Sequence, residues 1–184
     1  MNNKRLRSWS GAPAILLAGF LTAPPIMNAA EPPDSEQVST LLSEAKTMAF
    51  QLKEDAATME SFTRMNVSLE SHAVAINQIK DHVNALGRQA QKLKAARNTA
   101  SPWQRTVIDR IDPFLDELAG YTEAVIEHIN GGRKHTLDEY RDYLEANADY
   151  ASDLAAMIAN FVDYGRTKQR LERLSTKLEI PRAK

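Results

Sequence analysis

The chain holds four histidines and no cysteine. Thiolate metal sites, disulfides and lipid attachment through an N-terminal Cys are therefore excluded. His72 and His128 each lie near carboxylates in sequence, among them Glu70, Glu123 and Glu127, and His135 lies near Glu139. Imidazole and carboxylate groups meeting between facing helices suit a zinc- or copper-class ion. His72, His128, His135 and Glu127 are the candidate ligands for such an ion. Met59 or Met65 with His72 is the corresponding pair for a haem iron. The spacing itself selects no metal, because the chain has neither a Glu-x-x-His pair of the di-iron type nor a His-Glu-x-x-His run. The plainer reading makes His72 a hydrogen-bonded histidine in a helix seam. His128 then suits a helix C-terminus and His135 a solvated loop. No cofactor is the expectation, with zinc or copper as the alternative.

Nucleophilic chemistry has even less to build on. Ser43 and Lys46 match the Ser-x-x-Lys spacing of penicillin-recognising enzymes. The further motifs and the mixed α/β fold those enzymes need are missing, so the pair reads as surface residues of a helix. There is no Gly-rich phosphate loop and no Gly-x-Ser-x-Gly elbow. Asp109, Asp112 and Asp116 form an acidic ridge that Arg105 and Arg110 are placed to offset.

The elements that would carry these side chains are helices. Leu69, His72, Ile76, Ile79, Val83, Leu86, Ala90 and Leu93 follow a three-then-four spacing that keeps one helical stripe facing a partner. Asp34 with Gln37 is the expected cap of the preceding helix, whose inner face runs from Val38 through Leu42, Leu52 and Met59 to Phe62. Ser101, Pro102 and Gln104 form a full start signal for the third helix. Pro113 lies inside that helix and predicts a kink or short break near Asp112. Gly131 and Gly132 end it. Thr136 and Glu139 then make a second capping box for the fourth helix, which carries Leu137, Tyr140, Leu144, Ala151, Leu154, Ile158 and Phe161 inward. Short connections make neighbours antiparallel. The predicted fold class is therefore all-α, an up-down-up-down, coiled-coil-like four-helix bundle over residues 31–165. Residues 166–184 form a basic C-terminal helical extension, either continuing the fourth helix or folding back.

Residues 1–30 read as a signal peptide. Lys4, Arg5 and Arg7 precede an apolar run over residues 12–23, Pro24 and Pro25 break it, and Ala29 and Ala30 offer small residues for cleavage near Ala30. About a dozen apolar residues fall short of the roughly twenty that span a bilayer, so no transmembrane span is expected after processing. The predicted location is periplasmic or extracellular.

Charge divides unevenly. Residues 166–184 hold seven Lys or Arg against Glu172 and Glu179, and residues 31–165 hold 13 basic and 22 acidic side chains. An acidic body argues against nucleic acid, which requires a basic face to release counterions. On the fourth helix Asp138, Asp142, Glu145, Asp149 and Asp153 make an acidic stripe, with Tyr143, Tyr150 and Tyr164 beside it. Tyr143, Tyr150, Asp142 and Asp149 are the residues expected to face an unknown protein partner. Arg166, Arg170, Arg173 and Lys177 are those expected to make weak contact with an anionic membrane or acidic surface. The function expected is that of a non-enzymatic exported bundle acting through protein–protein or envelope contact. A metal or haem carrier with His72 and His128 at one end is the first alternative. A chaperone-like client binder, with an apolar groove left open by the wide helical stripes, is the second.

Overall fold

Apolar residues that recur every three or four positions commit a chain to helices that hide their stripes against one another. The computed structural model, which describes residues 32–179 except 66, 135 and 136, is built in this way. It comprises α1 (Glu36–Ser61), α2 (Leu69–Ala95), α3 (Pro102–Asn130) and α4 (Asp138–Lys177). Single 3-10 turns at Phe62–Arg64 and Arg97–Thr99 follow α1 and α2, and no strand occurs among the described residues. The signal-peptide reading falls on residues 1–30, outside those described.

α1 packs on α2 and α4, and α3 packs on the same two helices, so α1 and α3 sit across a diagonal. Leu42, Leu52, Met59, Leu86, Leu118 and Leu154 fill the interior with no exposed surface. The bundle has two chemically distinct ends. The finish of α1, the starts of α2 and α4 and the finish of α3 meet around His72 and His128, hereafter the His end. The starts of α1 and α3 meet around Trp103, the Trp end.

Several helix boundaries differ from expectation, each for a local reason. Ser35, not Asp34, caps α1: its Oγ accepts the Val38 N–H at 3.4 Å. Asp34 is engaged elsewhere, as described below. Ser68 caps α2 by accepting the Ser71 N–H at 3.2 Å. The expected break near Asp112 is absent, because α3 is one helix through Pro113. Pro113 is exposed, so the carbonyl that loses its partner one turn back faces water. α3 ends as expected, with Gly132 at φ +66°. Leu137 is the extended N-cap residue of α4 and is 43% exposed, rather than inward, because it precedes the helix. Thr136, its expected capping partner, lies outside the described residues, and Glu139 binds Tyr143 and Arg133 instead.

The acidic ridge of α3 also finds other partners. Asp109 takes a two-point bond from Arg97 at 2.7 Å and Asp112 pairs with Lys94, which ties α3 to the end of α2. Arg105 donates to the Ala100 carbonyl while its charge still helps hold Asp109 below its ordinary value, and Arg110 lies over the Phe161 ring.

Gly165 does not end α4. The helix runs for 40 residues, against 26, 27 and 29 for the others, and the basic extension continues it directly. At 1.5 Å per residue that is about 60 Å of helix against about 40 Å of bundle. Gly165 is buried, and a Cβ added there would lie 2.7 Å from Trp103 Cη2 and 2.8 Å from Cζ2. Gly165→Ala should therefore lower stability by about 1–3 kcal/mol through overpacking. Gly120→Ala, at a helical site with nothing within 4 Å of the new methyl, should raise it by up to about 1 kcal/mol. Urea midpoints of the two variants test the contrast.

Candidate functional site at the bundle ends

The Trp end is assembled from the residues just before α1 and the first turn of α3. Gln104 is fully buried on the line of the α3 stripe. Its Oε1 accepts the N–H groups of Ser35 and Ser101, each at 3.0 Å. Its Nε2 donates to the Ser35 carbonyl at 2.9 Å and to Ser39 Oγ at 3.0 Å. One amide thus fastens the starts of two helices. Beside it, Asp34 accepts from Trp103 Nε1 at 2.7 Å and from Lys168 Nζ at 3.0 Å. The Trp103 ring packs against Gly165 and lies edge-on to Tyr164 at 5.6 Å. Burial pushes the Asp34 carboxyl up, but hydrogen bonds from Ser101, Lys168 and Trp103 outweigh it and hold the group below its ordinary value. Burial likewise pulls Lys168 down, and the bond and charge of Asp34 more than reverse this. The result is a pinned helix: α4 leaves the bundle with its direction fixed on two sides.

The His end brings His72 and His128 to the same phenol. His72 Nδ1 shares a 2.8 Å hydrogen bond with the Tyr140 hydroxyl, and the His128 ring lies 4.9 Å from the Tyr140 ring. Phe62 meets His72 edge-on at 5.3 Å. His128 Nε2–H donates to the Lys134 carbonyl at 3.0 Å, leaving Nδ1 buried without a hydrogen-bond partner among the described residues. Burial alone raises the Tyr140 hydroxyl far above its ordinary value, so it stays a neutral phenol. Below this layer Asn147 Nδ2 donates to Thr122 Oγ1 at 2.9 Å. Glu127, the candidate carboxylate, lies on the exposed face of α3, and His135 is outside the described residues. Among the described residues no group of three or more His, Asp or Glu side chains gathers in a ligand arrangement.

Asp142 and Asp149 are exposed on the outer face of α4. Tyr143 and Tyr150 are half-buried and committed internally. Tyr143 donates to Glu139 at 2.7 Å, and Tyr150 stacks on Tyr121 at 5.6 Å and meets Phe114 edge-on. Tyr150 thereby joins α4 to α3, while the Tyr143 bond lies along α4 itself. The membrane-surface candidates Arg166, Arg170, Arg173 and Lys177 are all exposed, Arg166 beside the start of α1 and the other three on the part of α4 that leaves the bundle. Leu171, Leu174 and Leu178 stand between them, 60%, 44% and 61% exposed. At the His end a groove of about 420 Å³ opens between α1 and α2, lined by Asp55, Thr58, Phe62, Glu70, Val74 and Ala75 among others. Among the described residues no helix is long and apolar enough to cross a membrane.

Polar residues set on otherwise apolar stripes are the sequence signal of these ties between helices. Gln89, Gln104 and Asn147 are polar residues on otherwise apolar stripes, and each is buried and bonded across helices. The chain matches no family model, no curated protein and no solved structure.

Two measurements test this geometry. Tyr140→Phe removes the partner of His72 Nδ1 in the core and should cost about 1–3 kcal/mol by chemical denaturation, with helix content unchanged. At the Trp end, Asp34 lies below its ordinary 3.8, so its contribution is complete above that pH and is lost as pH falls through the folded value. Lys168 lies above its ordinary 10.5, so its share is complete below that pH and is lost as pH rises through the folded value. Asp34→Asn should flatten both limbs of the melting-temperature profile while lowering its plateau. An unchanged profile in Asp34→Asn would refute the pairing.

Proposed function

We propose that the protein is a non-enzymatic contact protein, exported to the periplasm or beyond, whose rigid bundle holds a C-terminal helical extension out for a partner. The observation that carries this reading is the two-turn overhang of α4. Past Lys168, where Asp34 makes the last tie, the helix continues to Lys177 with Leu171, Leu174 and the following Leu178 exposed. Exposed leucines in a row on a pinned helix are unfavourable in water unless something covers them. The buried polar groups at both ends support the same reading, since they are engaged in ties between helices. Export rests on the order of a basic start, a short apolar run and small residues in the first thirty positions.

A photo-crosslinking side chain placed at Leu171 or Leu174 in the native host should give discrete adducts of higher mass. The same group at Lys80, exposed on the side of α2, should give none. Equal labelling at all three sites would reject the reading. Mass spectrometry of the same preparation should show a chain beginning near Glu31.

A further inference from the structure

The exposed large apolar side chains are not scattered. Met65, Leu69, Val74 and Leu137 lie at the His end, and Tyr164, Leu171, Leu174 and Leu178 lie at the Trp end. Phe50 alone among those described is exposed along the side of α1. The two patches carry opposite charge. Around the α1–α2 groove stand Glu70 and Asp55, the latter paired with His82 and bonded to Gln78, so that Glu70 is the groove's open carboxylate. Beside the leucine row of the overhang run Arg166, Arg170, Arg173 and Lys177, at the same three-and-four spacing one helical flank away.

We propose that the occupant of the groove is a second copy of this chain: the overhang, residues 170–178, lies in the α1–α2 groove of the next molecule. The proposal rests on the contact reading above and names its partner. Size agrees with it. Along α2 the groove extends from Glu70 to Gln78, about 12 Å of helix, and Leu171 to Leu178 spans about 10.5 Å. Leu171, Leu174 and Leu178 would cover Phe62, Val74 and Ala75, while the basic flank meets Glu70. Overhang and groove sit at opposite ends of one molecule, so the contact is head-to-tail and can repeat along a row. An anionic lipid surface fits less well. Asp142, Asp149 and Asp153 lie on the same line of α4 as Leu171 and Leu178, at about 100° per residue. A membrane laid along the leucines would meet that acidic row.

Light scattering on the purified mature chain tests the proposal. The mass of the wild type should rise with concentration and fall back with added salt, because the interface is small and charged. Leu171→Glu/Leu174→Glu and, separately, Val74→Glu change exposed residues only and should keep the helical circular dichroism. Each should weaken self-association by about tenfold or more. Mixed in equal amounts, the two variants should form one heterodimer and stop there, since only one intact overhang and one intact groove remain. Charge reversal at Arg170 and Lys177 is a second route to the same loss. A wild type that stays monomeric at every concentration, or variant mixtures that do not pair, would overturn the self-contact. Binding of a monomeric wild type to phosphatidylglycerol vesicles would do so as well and would name lipid as the partner. In either case crosslinks at Leu171 would still uphold the contact reading, and their absence would remove both.

Discussion

Gln104 uses both atoms of its amide to hold the starts of α1 and α3 together, with four protein partners within 3.0 Å. A buried amide with no partners would cost several kcal/mol, and a fully bonded one tolerates few other arrangements. That intolerance is what specifies the Trp end. A purely apolar seam would let α1 slide by a turn relative to α3 with little change in buried area. The Gln104 bonds to Ser35 and Ser39 allow one register. With α1 placed, Asp34 is placed, and Asp34 in turn orients Trp103 and draws in Lys168 from α4. Gly165 completes the set, since any side chain there would push the indole away. The direction in which α4 leaves the bundle follows from this chain of contacts.

The His end closes by different physics. Phe62, His72, Tyr140 and His128 meet there as rings, with the Tyr140 hydroxyl bonded to His72. Aromatic rings carry apolar area with a polar edge, so they can seal an end by packing. The Lys134 carbonyl fixes which nitrogen of His128 carries the proton. The exposed charges of Arg133 and Glu139 remain outside this layer, where water screens them. One end of the molecule is therefore held by a partly buried charge pair and the other by packed rings.

How much of this could be read from the chain depends on the range of the interaction. The seam of α2 is periodic over its whole length, so Ile76, Ile79, Leu86 and Leu93 were legible as core, and so was the four-helix architecture. Caps are local, and the one at Ser101 was legible for that reason. Ser35 displaced Asp34 as the cap of α1 because Trp103 and Lys168, 69 and 134 residues away in sequence, compete for the same carboxylate. No local rule contains that competition. Pro113 does not end α3, and its exposed position leaves the carbonyl it orphans open to water, a property of the bundle rather than of the local sequence. The meeting of His72 with His128 followed from topology alone, whereas their shared partner Tyr140 did not stand out, since it read as one more apolar position.

Helix α4 records in its own sequence where the bundle stops. Its buried row passes through Tyr140, Leu144, Asn147, Ala151, Leu154, Ile158, Val162 and Gly165. Continued at helical spacing, that row reaches Gln169, Glu172 and Thr176, all polar, so no further layer of core can form there. The apolar residues beyond Gly165 lie instead on the opposite side of the helix, at Leu171, Leu174 and Leu178. A helix that merely frayed past its last neighbour would show mixed polar residues on every side. A half-turn transfer of the apolar row, coinciding with the last tie to Asp34, describes one helix facing two surfaces in succession. The first surface is its own bundle. The second, along Leu171, Leu174 and Leu178, is open among the described residues.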